Sequence, residues 1–459
     1  MSPSDQPQTK SCLDRLLSLA ADVRPGEAAT AALLSLNGFL ILAAYYLIRP
    51  VRNSLLTPIK VTLFGQTIPG NELTSYSGAV LAFLFIFIVP AYGAFASRVN
   101  RVRLINGMTL FFISNLLIFF ALGVGRTPGA VYAITFYLWA SIFNLMVIAQ
   151  FWSFANDIYT TEAGKRLFAI VGFGGTLGAI AGAWVTRTYI VRLGDITMFL
   201  LSAGLLVICL VLTNVVNARE RQKVVDKKRG AAAEQPLSRE GGFALVVKHR
   251  YLLLIGLVTL IIQLVNTNGN FIFDTTLLEM AQESVAAGTA GGLSVRDLVG
   301  SYNAGRDFYQ NVLGAVLQFF VVSRILKYMG VGPALFIMPL LALTNYSIFA
   351  LFPVLSLIRV AKITENAADY SLQNTLRRAL FLPTSREAKY KALNAVETFF
   401  WRAGDMLSAI VTFAVVRTLG FGVREYAIVN IAIVVLWLVI AAMLAKENRK
   451  LSETHAVAA

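Results

Sequence analysis

Thr197-Met-Phe-Leu-Leu-Ser-Ala-Gly-Leu-Leu-Val-Ile-Cys-Leu-Val-Leu-Thr-Asn-Val-Val216 carries no charged side chain, and Asn217-Ala-Arg-Glu-Arg-Gln-Lys223 follows it directly. A helix rises about 1.5 Å per residue, so a run of this length crosses a hydrocarbon core about 30 Å thick. Comparable runs recur along the 459 residues, of which 57% are hydrophobic and 14% charged, with a mean hydropathy of +0.67. A soluble protein carries about 25% charged and 45–50% apolar residues. This chain lacks the polar surface to hide its apolar side chains from water, which excludes a soluble globular enzyme. The expected fold is an all-α polytopic membrane protein.

Apolar runs and turn signals place twelve crossings near 30–57, 74–97, 103–123, 130–157, 165–189, 196–218, 249–274, 300–323, 331–352, 354–380, 390–416 and 425–445. The polar stretch after the sixth divides them into two sets of six. The expected organisation is an amino-terminal segment 1–27, a six-helix bundle 28–218, a basic linker 219–243, a second bundle 244–446 and a tail 447–459. With the amino terminus in the cytoplasm, that side holds 27 of the 40 Lys and Arg, and the opposite side holds 10. Cytoplasmic enrichment in basic residues sets orientation, so both termini are expected in the cytoplasm. The net charge of +15 is thereby assigned to loops, and no nucleic-acid partner is expected. Leu13, Leu16, Leu17 and Val23 have the spacing of a helix lying on the bilayer surface. No signal peptide is expected. Two cysteines, Cys12 and Cys209, and two histidines, His249 and His455, give neither a disulfide framework nor a metal site, and no cofactor is expected.

The tenth crossing is the most informative. Arg359, Lys362, Glu365, Asn366, Asp369, Gln373 and Asn374 follow at steps of three, four or one, which puts them on one helical face. A charge at the bilayer centre costs about 2.5–3.5 kcal/mol on insertion scales, so this stripe faces water, solute or opposite charges. A cavity wall and a salt-bridge lock between helices are the two readings. Arg49 and Arg52 lie near the outer end of the first crossing, where Pro50 is expected to free carbonyls for water or solute. Arg402 lies near the middle of the eleventh, with Asp405 as its neighbour. Guanidinium forks match phosphate and carboxylate oxygens, so an anionic solute is expected at Arg49, Arg52, Arg359, Lys362 and Arg402, with the amides Asn156 and Asn266 beside them. Asp157, Glu365, Asp369, Glu397 and Asp405 are candidates for gating or proton coupling. Gly174, Gly178 and Gly182, spaced by four, make a stripe for close helix packing. No nucleophile, base and oxyanion set is assembled, so no enzymatic activity is expected.

A short repeat links the halves. Glu162-Ala-Gly-Lys-Arg166 opens the fifth crossing and Glu387-Ala-Lys-Tyr-Lys391 the eleventh; Gly178 and Gly182 then correspond to Gly404 and Ser408. Two related six-helix halves are the plan of major facilitator transporters. The strings Leu47-Ile-Arg-Pro-Val-Arg-Asn53, Phe151-Trp-Ser-Phe-Ala-Asn-Asp157 and Asp369-Tyr-Ser-Leu-Gln-Asn-Thr375, with the two just quoted, resemble the ATP/ADP translocase family of intracellular bacteria and plastids. That resemblance implies a major-facilitator-like fold, nucleotide exchange without hydrolysis, and residence in a bacterial inner membrane, as a monomer. It also implies departures. Gly70-Asn71-Glu72 stands where the family carries a lysine, Tyr137 where it carries a glutamate, and Asn266 where it carries another. The sequence therefore reads as a divergent secondary transporter for a nucleotide or other anionic solute. A proton-coupled permease for a carboxylate or other metabolite, and a non-transporting scaffold or receptor, are the alternatives.

Overall fold

The computed structural model describes residues 23–24, 26–63, 65–96, 99, 101–126, 128–159, 161–231, 242–384, 388 and 392–458. The expected surface helix from Cys12, most of the amino-terminal segment, Arg98, the centre of the linker and most of Glu387-Ala-Lys-Tyr-Lys391 lie outside the described residues.

Apolar runs become helices because only there can every backbone polar group be satisfied without water. The first six crossings are α1 (Ala28–Leu56), α2 (Gly70–Ala96), α3 (Arg101–Gly123), α4 (Ala130–Ile158), α5 (Thr161–Leu193) and α6 (Thr197–Ala231). Between α1 and α2, β1 (Lys60–Leu63) and β2 (Gln66–Pro69) form an antiparallel hairpin in which Lys60 faces Pro69 and Leu63 faces Gln66. Gly65 at its turn has φ of 77°, a conformation open to glycine. Short α7 (Gly242–Lys248) leads into α8 (Arg250–Ala286), the seventh crossing. The eighth combines α9 (Val295–Val316), a π-helical segment Leu317–Val321 and α10 (Val322–Met329). The ninth is α11 (Val331–Ala334) with α12 (Ile337–Leu351), and the last is α17 (Val423–Ala458). The eleventh is α15 (Leu393–Ala395), a π segment Val396–Phe400, α16 (Trp401–Thr412) and a second π segment Phe413–Thr418.

Among the described residues, eleven helices are long and apolar enough to cross a membrane. The tenth expected crossing is not among them. It is a continuous helical run made of α13 (Leu355–Ala368), a π segment Asp369–Gln373 and α14 (Asn374–Leu380). Arg359, Lys362, Glu365 and Asp369 make it too polar to face lipid alone. Its polar face is enclosed by its neighbours.

The helix α1 passes through Pro50 without interruption. Pro50 lacks the N–H that would bond the Tyr46 carbonyl, and Thr186 Oγ1 of α5 donates to that carbonyl at 3.1 Å. The carbonyl expected to await water or solute is thus satisfied within the protein.

The chain forms two compact units. One comprises Met1–Arg52, Val89–Pro128 and Thr135–Gln235; the other comprises Asn53–Ile88, Gly129–Ile134 and Pro236–Ala459. In the first, Gly174, Gly178 and Gly182 lie against the backbone carbonyls of Ser35, Phe39 and Ala43, leaving no room for a Cβ. In the second, a Cβ on Gly404 would lie 2.6 Å from the Leu260 carbonyl. The repeat in sequence therefore corresponds to the same packing in each unit: the fifth crossing on the first, and the eleventh on the seventh. The second unit also holds the end of α1, the hairpin and most of α2. Asn53 Nδ2 donates to Asn303 Oδ1 at 3.2 Å, and Asn71 Nδ2 to Thr275 Oγ1 at 2.8 Å.

Candidate substrate-binding site

In the second unit the polar faces of α8, α9 and α13 meet. Lys362 is fully buried. Its Nζ donates to Asn266 Oδ1 at 2.6 Å, to the Asn266 carbonyl at 3.1 Å and to Glu365 Oε1 at 3.2 Å. The Tyr346 hydroxyl donates to the Val265 carbonyl at 2.8 Å and lies 3.3 Å from Glu365 Oε1. Gly269 leaves the space both groups need, since a Cβ there would lie 3.0 Å from Lys362 Nζ. Glu365 Oε2 has no hydrogen-bond partner among the described residues. The spacing on the tenth crossing thus selected two residues, Lys362 and Glu365, that bond each other and a third candidate, Asn266.

A second node lies one turn away on α8. Arg402 Nη1 donates to Asp405 Oδ2 at 3.1 Å. Asp405 Oδ1 accepts from Gln263 Nε2 at 2.7 Å and Thr267 Oγ1 at 3.0 Å. Arg402 remains 29% exposed, against 8% for Asp405, and its guanidinium lies 4.7 Å from the Phe85 ring centroid. Asn266 and Thr267, consecutive in sequence, therefore carry one node each. Asn268 serves another purpose. It is buried and bonded to Asn430, Ser408 and Tyr426, which makes it an interhelical tie.

The eighth crossing supplies residues that the sequence reading missed. Arg306, inside the expected eighth crossing but not among the candidates, is a buried residue three turns into α9, which begins at Val295 behind a capping box of Ser294 and Asp297. Asn303, Asp307, Gln310 and Asn311 share its buried face. Arg306 Nη2 lies 3.6 Å from Asp307 Oδ1, its guanidinium lies 4.7 Å from the Phe273 ring centroid, and Nε and Nη1 have no hydrogen-bond partner among the described residues. Asn366 Nδ2 donates to Gln310 Oε1 at 2.9 Å, tying α13 to α9. The steps 303, 306, 307, 310 and 311 are the same kind of signal that marks the tenth crossing.

The remaining candidates have surroundings of their own. Asp369 opens the π segment, is buried, and its Oδ1 has no hydrogen-bond partner among the described residues. π segments of this kind recur at functional sites. Arg359 lies against Gly305 and above the Tyr302 ring, on the wall of a side cleft. Glu397 is exposed. In the first unit, Arg52 Nη1 donates to Ser141 Oγ at 2.9 Å with its guanidinium 4.4 Å from the Tyr137 ring centroid, and Arg49 Nη1 donates to the Tyr46 hydroxyl at 3.1 Å. Asn156 is exposed on α4, and the side chain of Asp157 lies outside the described residues.

These helices, and this enclosure of charge by amides and tyrosines, are the setting for the comparison with known proteins. Residues 126–268 match the TLC ATP/ADP transporter family. The match takes in α4 to α6 and reaches Asn266 on α8. ADP,ATP carrier protein 1 of Chlamydia pneumoniae is 21% identical over 351 residues, 67% of this chain and 65% of that protein. The matched region thus spans about two thirds of the curated relative. Among solved structures, the nucleoside transporter NupG superposes with a TM-score of 0.64 at 13% identity, covering 92% of this chain and 99% of that one. A POT family transporter in complex with 5-aminolevulinic acid gives 0.60 at 14%, covering 92% and 96%. The resemblance to ATP/ADP translocases therefore holds, and the fold is that of a multi-pass, major-facilitator-type membrane protein.

Proposed function

We propose that this chain is a secondary transporter that carries a negatively charged, phosphorylated solute by alternating access, with a nucleotide as the first candidate. The observation that carries the reading is Arg306. A guanidinium held in a membrane-spanning helix costs several kcal/mol of lost hydration, and two of its nitrogens have no hydrogen-bond partner among the described residues. With Lys362 and Arg402 it supplies cations of the kind that bind phosphate oxygens. The family match and the carrier relative support the nucleotide. The three departures argue for a changed preference: Asn71 bonds Thr275, Asn266 accepts from Lys362, and Tyr137 underlies Arg52. Positions that the resemblance associates with solute charges are spent on internal contacts here. The reading assigns the protein no enzymatic chemistry.

Purified protein in liposomes should exchange labelled ATP, ADP or another phosphorylated solute, and Lys362→Ala and Arg402→Ala should abolish it. Absence of exchange with every phosphorylated compound tried would overturn the reading. A second reading, a proton-coupled permease for a smaller anion, is favoured by Glu365 Oε2 and Asp369 Oδ1, buried carboxylate oxygens without hydrogen-bond donors among the described residues. Uptake that requires a proton gradient and ignores phosphorylated compounds would select it. We propose both termini in the cytoplasm on the distribution of Lys and Arg, and two six-helix bundles on the linker after the sixth crossing.

A further inference from the structure

On one side of the second unit, α8, α9 and α13 enclose a cleft of about 1050 Å³. It is at the upper end of the range of small-molecule sites, about 300–1,000 Å³. Its mouth lies where α8 ends and α13 begins, at the level of Glu283 and Pro353–Leu355, and it extends along α9 from Tyr302 to Val316. Fourteen residues of helix correspond to about 21 Å, the reach of an acyl chain from the membrane surface inward. Val316, Val354 and Val360 on its rim are 46%, 54% and 63% exposed. Exposed valines on membrane-spanning helices present that rim to lipid.

The two walls differ in charge. Glu279 and Glu283, one turn apart, stand on the α8 wall; Arg359, 5.0 Å from the Tyr302 ring centroid, stands on the α13 wall. Below them the lining is apolar, with Val312, Leu313, Val316, Val360 and Ile363. A soluble polyanion is unsuited to this cleft, because two carboxylates would repel it and half the lining would stay unused. A lipid with a quaternary ammonium cannot donate hydrogen bonds to the carboxylates, and an anionic lipid offers them no cation. The chemistry that satisfies every wall is a phosphate and a primary ammonium on an apolar tail.

We propose that this cleft binds a membrane aminophospholipid, with its phosphate at Arg359, its ammonium between Glu279 and Glu283, and an acyl chain along Val312, Val316 and Val360. The site is distinct from the Lys362 node and independent of which solute is carried.

The test uses the full-length protein in detergent, with binding read by native mass spectrometry and thermal unfolding against phosphatidylethanolamine, phosphatidylcholine and phosphatidylglycerol of identical chains. The net worth of one charge-assisted hydrogen bond sets the lower bound: phosphatidylethanolamine should bind at least about tenfold more tightly than either competitor. Glu279→Gln with Glu283→Gln should erase that preference. Val360→Trp, from an exposed position, should block the cleft and weaken binding of every lipid, which keeps the test available if the double variant fails to fold. Water-soluble glycerophosphoethanolamine should not compete. Equal binding of the three lipids, undiminished binding in Val360→Trp, or full competition by the soluble headgroup would overturn the proposal.

Discussion

Arg417 Nε donates to Glu72 Oε2 at 2.8 Å across 345 residues of sequence, joining the start of α2 to the end of the eleventh crossing. The same guanidinium donates through Nη2 to the Thr67 carbonyl of the hairpin at 2.7 Å, and the Tyr76 hydroxyl donates to Glu72 at 3.1 Å. Glu72 is buried, so its charge depends on these donors. Together with Asn71 and Thr275 they hold the hairpin and the start of α2 against the seventh and eleventh crossings within the second unit. Any motion that separates α2 from the eleventh crossing must break them.

Removing the charge by Glu72→Gln should therefore loosen this attachment. The expected loss is about 1–3 kcal/mol, the scale of a charged hydrogen bond with a buried partner left over. Ser75 is buried close by. A cysteine placed there should react with a soluble maleimide faster in the Glu72→Gln background than alone. Unchanged labelling would mean that the tie does not hold the segment closed.

Lys362 and Glu365 allow structure and function to be separated. Lys362→Ala strands a buried carboxylate, and breaking such a pair costs about 3–5 kcal/mol. Replacing both, as Lys362→Met with Glu365→Leu, removes the stranded charge and should restore much of the unfolding temperature. Transport should remain absent in the double variant, because solute recognition needs the cation itself. Recovery of transport together with stability would make the pair a lock between helices only.

Arg306 makes a different prediction. Its Nε and Nη1 are not spent on described residues, so Arg306→Lys, which keeps charge but loses the planar fork, should lower solute affinity about tenfold or more with little change in unfolding temperature. Affinity measured by exchange at varied solute concentration checks it. A large fall in unfolding temperature with unchanged affinity would place Arg306 in the scaffold.

Much of this architecture was legible in the residues. Crossings read from apolar runs agree with the observed helices to within a few residues at most ends, because lipid and backbone hydrogen bonding leave few alternatives. The polar face of the tenth crossing was legible for the same reason, since charges at steps of three and four cannot point into lipid. What escaped depends on tertiary context. Arg306 was passed over inside the expected eighth crossing, although its spacing from Asn303 and Gln310 carried the same signal. Whether Pro50 leaves an open carbonyl was settled by Thr186, distant in sequence. The π segment at Asp369–Gln373 has no local cause in propensity. Nothing in the spacing separated Arg359, on the wall of a side cleft, from Lys362, three residues away and enclosed.

The glycine stripe predicts intolerance to a single methyl group. At Gly178 a Cβ would collide with the Phe39 carbonyl, a backbone atom that cannot rotate away. Overpacking of this kind costs about 1–3 kcal/mol and more where backbone must shift. Gly178→Ala, and Gly404→Ala at the equivalent place in the second unit, should both reduce folded yield and unfolding temperature. Gly175 faces Leu42 at ordinary contact distance, 3.8 Å, so Gly175→Ala should be tolerated and serves as the control.

Acid should act through Glu27. Burial alone would raise its carboxyl, but the paired hydrogen bonds from Arg166, the Arg24 N–H and the attraction of both arginines outweigh it and hold the group below its ordinary value. Arg166 reaches it through two nitrogens at 3.0 and 2.9 Å, joining the start of α1 to α5. A group depressed in the folded state stabilises it fully above the unfolded value near 4.5, and the contribution fades as pH falls through the lower folded value. Between pH 7 and pH 5 the pair should therefore add a constant amount, about 1–2 kcal/mol for a partly exposed bidentate pair. Glu27→Gln should lower the unfolding temperature by the same increment throughout that interval, and its difference from the parent should shrink below pH 4.5. A difference that instead grows on acidification would mean that Glu27 is protonated in the folded protein and that the arginines do not control it.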